Sequence, residues 1–547
     1  MTRFLLFLCT GFLLISCGYH KEKHDNQKVF NMLLPAGLSS LDPAFARDQS
    51  NSWMISQIFN GLVQLDSNLE VQPCIAKSWE IKDSGRVYIF HLKQDVVFHP
   101  HEAFMNSEDR RVRAQDFVYS FNRIVNPETG SFGQWIFNGK VVGADSTQVF
   151  SGLSGFEALN DSTLKIQLVQ PFPAFLSLLS MPYASVVSKR VIEKIGKAHR
   201  SNPIGTGPFV FKSWREGESL ILLKNHQYFE EENGIRLPYL DAVRVEFSSS
   251  PLTAFHKLVR GDIDFLNRPD LSLKEELFEK DGSLKSQWLS KFYLMRKPQL
   301  NTEYLGIQMD TALLPHPLHN LYFRKAIAYA IDRDKLVGTV LNGMGYAAHG
   351  GIVPPGMPLS DTGFVKGIRY NIDSAKYYLK LAGFPNGRGL PELSLLTSPS
   401  YQPVMEMIQY QLSEVGIRLT LDNGDGSSLR EMIYQGKVAF WRASWIADYP
   451  DAENYLSLFY GENRAPSGPN TTRYQKDFYD AQFRASLLET KDSVRMKYHE
   501  RLQQELIEDV PVILLYYDRI IRLIRNEVSG LEMDAMNNLN LKRVRKR

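Results

Sequence analysis

From Val29 to the C-terminus, segments of strand composition alternate irregularly with segments of helical periodicity, and no repeat or low-complexity linker interrupts them. That pattern points to mixed α/β lobes whose sheets share crossovers. Val87–His99 has β-branched and aromatic residues in alternation, then a Val-Val-Phe run, and Ser162–Val169 alternates in the same way. Arg113–Val125 reads as a helix with Phe117, Phe121 and Ile124 on one face and Pro127 beyond its end. A short helix opens near Pro173, where proline suits a first turn. Leu321–Gly343 gives the clearest helical spacing, through Phe323, Ile327, Ile331, Leu336 and Val340. Further helices are expected over Asn371–Phe384, from Met405 towards Gly416, and over Ser493–Glu508, with a strand from Pro511 to Asp518.

At 547 residues the chain is too long for one ordinary core, so two or three lobes are expected at ~100–200 residues per domain. Its formal net charge of +3 gives no nucleic-acid footprint, which needs a concentrated basic face. The one basic cluster, Leu541–Arg547, reads as a solvated terminus, with a membrane or an acidic partner as the alternative.

The N-terminus reads as an export signal. Arg3 precedes a twelve-residue apolar run from Phe4 to Ile15. A membrane-spanning helix needs about 20 residues, so this run is too short. No later segment approaches that length, and the body is expected to be soluble. The border of the run carries Cys17, and of three cysteines only Cys17 and Cys74 remain if cleavage falls before it. Ordinary secretory cleavage, an uncleaved anchor and a Cys17–Cys74 disulfide all stay open on composition alone. Leu14, Ile15 and Ser16 before Cys17, with Gly18 after it, resemble a bacterial lipobox. That resemblance implies a signal peptide at 1–16, a lipidated Cys17 carrying three acyl chains such as palmitate, and a polar tether over 17–28.

Enzyme chemistry finds little support. Ile204–Phe209 contains Gly-Thr-Gly-Pro, but neither the P-loop spacing nor a third glycine at Val210 is present, so it reads as a structural turn. His99–Glu102 has no second His–Glu pair at metal-binding spacing and reads as a turn after a strand. Acidic pairs such as Asp262/Asp264 and Asp448/Asp451 suit acid–base work in principle. With 60 acidic residues in the chain, such pairs are weak signals. No metal, cofactor or catalytic residue is expected.

The informative stretch is Val438–Phe459. An apolar run crosses Trp441, Arg442, Trp445, Asp448, Tyr449 and Asp451 at the end of a strand. Charges buried without partners cost several kcal/mol, so these groups need partners. An internal Arg–Asp pair among core tryptophans and a ligand in a cleft both meet that need.

Eight segments spread over the chain carry a resemblance. Ser40–Ile81, Arg86–His99, Arg113–Ser131, Asn202–Trp214, Phe323–Val337, Ile352–Pro358, Tyr370–Pro385 and Asp509–Tyr517 occur in the order found in family 5 of the bacterial extracellular solute-binding proteins, the oligopeptide- and dipeptide-binding class. Val438–Phe459 resembles that family's ligand strand. The resemblance runs from about Val29 to Arg547.

It implies an α/β, periplasmic-binding-protein-like fold of type II: two lobes, an extra subdomain, and a ligand cleft between hinged lobes. The expected division is 29–61, 201–298 and 518–547 for lobe I, 62–200 for the extra subdomain (lobe II) and 299–517 for lobe III. It implies a non-enzymatic, monomeric receptor that binds an extended peptide and hands it to the permease and ATPase of an ABC transporter. The receptor would work in the periplasm, at the cell envelope, held to a membrane by Cys17. The implied site residues are Asp448 for the peptide's amino group and Arg442 for a short peptide's carboxylate. Trp445 would form a pocket wall, and Ala443, Ser444 and Trp445 would be backbone partners. Arg47, Asp48 and Gln49 would make a second backbone-binding stretch, and Tyr517 would line the cleft. Ser444 stands where the family often has glycine. Relatives in the same family imply alternative ligands, namely a nickel chelate, heme or an oligosaccharide; an exported hydrolase is the alternative from another class.

Overall fold

Two long antiparallel strands, Phe292–Ile307 and Val512–Arg525, run through the middle of an eleven-stranded sheet. The computed structural model describes residues 27–35, 37–144, 154–358, 365–424 and 426–547. The expected signal, Cys17 and all of the tether before Gln27 lie outside the described residues.

On one flank of the long pair lie Phe265–Asn267, Val29–Leu34, Ala242–Phe247, Ser219–Lys224 and Phe209–Arg215. On the other lie Phe440–Ile446, Leu393–Thr397 and Leu419–Asn423, while Gly345–Ala347 pairs with Val512–Arg525 off the main path. The strands of both lobes thus belong to one hydrogen-bonded sheet. The apolar cores nevertheless separate. One cluster gathers around Phe30, Met32, Phe117 and Phe121, another around Leu305, Ile327, Met405 and Ile408.

Between the two halves the ladder of the long pair breaks. Pro298 faces Arg519, the next paired residue is Thr302 opposite Tyr517, and the register shifts between them. Proline has no N–H to offer a ladder. Leu300 turns its own N–H to Ala535 O at 2.7 Å instead.

A separate four-stranded sheet, in the order Ala76–Lys82, Val87–Leu92, Thr163–Gln167, Phe156–Asn160, packs with the helix Ala114–Val125 against the first core. Phe117, Phe121 and Ile124 point inward on that helix, as their spacing predicts. The helix Asp492–Asp509 also follows its predicted course and runs into the second long strand.

Two expectations change. The helix expected over Leu321–Gly343 breaks at Ile331, which is extended with ψ 111°. Asp332 caps a new turn there by accepting from Lys335 N, and buried Arg333 donates to the carbonyls of Ala328, Ile331 and Leu514. These bonds hold the chain away from a straight helix, and Leu336–Val340 continues as a π-turn.

The basic tail is not a solvated terminus. Leu541 and Val544 are buried, and Lys542, Arg543 and Lys546 pair with Glu230, Glu232 and Asp264. The acid pair Asp262/Asp264 is therefore structural on its inner member.

The Ile204–Phe209 turn is a close backbone approach. A Cβ on Gly205 would meet Ile58 O at 2.0 Å, and one on Gly207 would meet Ile58 C at 2.5 Å. His99 fastens this turn from the other side, with Nε2 at 3.0 Å from Gly207 O and Nδ1 accepting from Gly205 N at 3.4 Å.

Among the described residues no group of acidic, histidine or cysteine side chains is arranged to hold a metal. Among the same residues no helix is long and apolar enough to cross a membrane.

Candidate functional site

A cavity of about 450 Å³ opens between the start of the helix Gln49–Ile58, the turn following the strand Phe440–Ile446, and the C-terminal segment. Arg47, Asp48, Gln49 and Asp448 line it together, although some 400 residues separate the two groups in sequence. Arg442, Ala443, Ser444, Trp445 and Tyr517 do not line it.

The strand Phe440–Ile446 explains that division. It pairs along its length with Phe292–Ile307, but meets Leu393–Thr397 only at Trp441 opposite Leu396. From Arg442 to Ile446 its outer edge has no strand partner among the described residues. An unpaired edge of this kind is a template for an added extended chain. Trp441 is fully buried, with Gly306 beneath its ring.

Beyond the strand, the side chain of Asn454 shapes the turn. Its Oδ1 accepts from Trp445 Nε1 at 2.9 Å and from Asp448 N at 3.1 Å, and its Nδ2 donates to Asp448 Oδ2 at 3.4 Å. One buried amide thus fixes the Trp445 ring and aims the Asp448 carboxylate.

The charged groups of this stretch have different fates. Arg442 donates to Glu303 and stacks under Tyr401, its guanidinium carbon 3.1 Å from the ring centroid. Asp451 pairs with Arg495 at 2.7 Å, both side chains buried. The internal-pair reading therefore holds for Arg442 and Asp451, each with a partner that local sequence does not reveal. Asp448 is different. Its carboxylate accepts only from Asn454 Nδ2, and no cation pairs with it among the described residues. It is open to the cavity, yet the protein around it still removes enough water to push its carboxyl above the usual value.

On the opposite wall, Asp48 caps the helix Gln49–Ile58, accepting from Asn51 N at 2.9 Å and from Asn51 Nδ2 at 3.0 Å. Gln49 Oε1 accepts from Asn537 Nδ2 at 3.1 Å. The Arg47 guanidinium stands 5.2 Å from the Phe132 ring centroid. Tyr183 lines the same cavity. Burial, then the charges of Asp448 and Asp48, push its phenol up to about 12 against the opposing pull of Arg47. Tyr517 is buried, and its hydroxyl donates to Gly351 O at 2.6 Å, so it is a wall support and not a cavity contact.

Sequence reasoning missed Asn454, Tyr183, Glu303 and Arg268. Asn454 lies inside Val438–Phe459, six residues after Asp448, but a lone asparagine carries no signal until its turn is seen. Glu303 and Arg268 are joined to the site only through sheet pairing.

The family model for the middle segment of bacterial extracellular solute-binding proteins, family 5, matches residues 70–467. The periplasmic oligopeptide-binding protein OppA of Salmonella typhimurium is 27% identical over 522 residues, 92% of this chain and 90% of that one. Heme-binding protein A of Haemophilus influenzae is 25% identical over 467 residues, 84% of this chain and 81% of that one. Among solved structures, DppA of Helicobacter pylori in complex with the peptide STSA is similar with a TM-score of 0.75 at 24% identity, over 95% of this chain and 98% of that one.

Proposed function

We propose that this chain, which belongs to the family 5 bacterial extracellular solute-binding proteins, captures short peptides with a free amino terminus and delivers them to the permease and ATPase of an ABC importer. Its fold is periplasmic-binding-protein-like, mixed α/β and two-lobed. The observation that carries the proposal is Asp448, a carboxylate open to the cavity with no cationic partner among the described residues.

An ammonium group on the ligand meets that need, and hydrogen bonds to charged groups are worth ~1.5–3 kcal/mol. The open edge at 442–446 suits backbone pairing, which is the same for every peptide sequence. Hydrated space around the ligand's side chains would then allow many sequences. The register break between Pro298 and Thr302 is a natural hinge, because the two halves of the sheet meet there with few ladder bonds. With that hinge, lobe I comprises 29–61, 201–298 and 518–547, the extra subdomain 62–200, and lobe III 299–517. Anchoring through a lipid on Cys17 would hold the receptor on the periplasmic side of the envelope, with the body acting as a monomer.

Calorimetry with mixed tri- to pentapeptides against their N-acetylated forms tests the reading. Binding of the free-amino pool alone supports it; equal binding of both pools, or of neither, overturns it. A heme-binding relative exists at 25% identity. Mass spectrometry of ligand that copurifies with the protein separates peptide from heme, nickel chelate or oligosaccharide.

A further inference from the structure

Three cationic side chains line the cavity, and only one of them is placed to receive an anion away from Asp448. Lys542 is buried and taken up by Glu230 at 2.5 Å and by Gln64 Oε1 at 2.8 Å. Arg47 lines the cavity next to Asp48, its guanidinium over the Phe132 ring. Arg268 is tied elsewhere, to Asp518, which shares the Asn301 amide with Glu303, the partner of Arg442.

Arg268 follows the strand Phe265–Asn267 and precedes Pro269 in a left-handed conformation, φ 51°. A non-glycine residue held there is strained by about 1–3 kcal/mol and persists only where its surroundings fix it. Here its N–H donates to Ile521 O at 2.8 Å, and its Nη2 pairs with Asp518 at 2.8 Å. Asp518 is held in turn by Asn301 Nδ2 at 2.6 Å. One corner of the guanidinium is therefore pinned, while the side chain keeps 43% of its surface exposed. The remaining N–H donors form a preorganised fork, which matches a carboxylate.

We propose that Arg268, not Arg442, is the specificity-determining residue for a carboxylate on the ligand, so that the cavity reads a cation at Asp448 and an anion at Arg268. This rests on the peptide reading above. The carboxylate has two sources, the peptide's C-terminus or an acidic side chain.

The test compares three probes by calorimetry on the full chain: Ala-Ala-Ala, Ala-Ala-Ala-amide and Ala-Glu-Ala-amide. The unaltered protein is expected to bind the free acid about tenfold or more tightly than the amide. Partial recovery with the Glu-containing amide assigns the subsite to side chains as well, and no recovery assigns it to the C-terminus alone. Arg268→Gln is expected to bind acid and amide equally, near the amide's affinity. Arg268→Lys keeps the charge without the fork and is expected to narrow the preference without abolishing it; it serves as the reading if Arg268→Gln does not fold. A preference unchanged in these variants overturns the assignment while leaving the Asp448 reading intact. Failure of every probe to bind the unaltered chain overturns both.

Discussion

Arg442 and Glu303 sit on neighbouring antiparallel strands, two residues out of direct register, and their side chains meet as a buried ion pair. Glu303 has only 2% of its side chain exposed, and burial pushes its carboxyl up to about 7 even with Arg442 beside it. Removing one partner of such a pair strands the other charge, at a typical cost of about 3–5 kcal/mol. Arg442→Ala is therefore expected to lower stability by about that amount in urea titration. Unchanged stability with lost peptide binding would instead make Arg442 a ligand contact.

Asp448→Asn keeps the shape of the turn and removes the charge. Affinity for free-amino peptides should fall by about tenfold or more, whereas Trp445→Phe, which loses only the bond to Asn454, should cost less. Calorimetry at neutral pH measures both. Because burial raises the Asp448 pKa, binding should also begin to weaken on acidification at a higher pH than an ordinary aspartate would dictate.

Gly205→Ala and Gly207→Ala place a methyl group against the backbone of Ile58, which no side-chain rotation can relieve. Each should lower the melting temperature, by an amount corresponding to about 1–3 kcal/mol or more. A melt identical to that of the unaltered protein would show that the turn does not press on that helix.

Stability should fall on mild acidification because of His99. A carbonyl faces its Nε2, so that nitrogen carries the proton, and Nδ1 accepts from Gly205 N–H; the neutral ring is satisfied on both sides. Burial holds its folded pKa down at about 4, against 6.5 unperturbed. The unfolded chain thus binds the extra proton first. The contribution is fully present above pH 6.5 and is lost as pH falls towards 4, on the order of 3 kcal/mol. His99→Gln should flatten that part of the pH–stability curve in chemical denaturation between pH 7 and 4; an unaltered slope would assign it to other groups.

Cys17→Ala should move the protein from the detergent phase to the aqueous phase on partitioning of cell fractions. Unchanged partitioning would overturn lipid attachment.

How much could be read beforehand depended on how local each cause was. The helix Ala114–Val125 was legible because Phe117, Phe121 and Ile124 repeat at helical spacing, and the strand Val87–Leu92 because its residues alternate. Asp448 stood out in the sequence through the company it keeps, and it lines the cavity. The break at Ile331 was not, because Arg333 is held by Leu514 O, a carbonyl 181 residues away. The partner of Arg442 was hidden for the same reason: Glu303 lies 139 residues earlier and becomes a neighbour only through sheet pairing. The tail misled because charge alone does not show which acids wait for it.

The position of the first strand bears on the order in which the molecule assembles. Val29–Leu34 is bracketed by Ala242–Phe247 and Phe265, and Lys546, next to last in the chain, donates to Val29 O at 3.0 Å. At ~5–20 residues per second of synthesis, that strand waits on the order of 10–40 s for its first partner. The central ladder waits longer still, until residue 512. The separate four-stranded sheet can therefore form once residue 167 has been made, whereas the central sheet that joins the lobes takes shape only after residue 512 has followed.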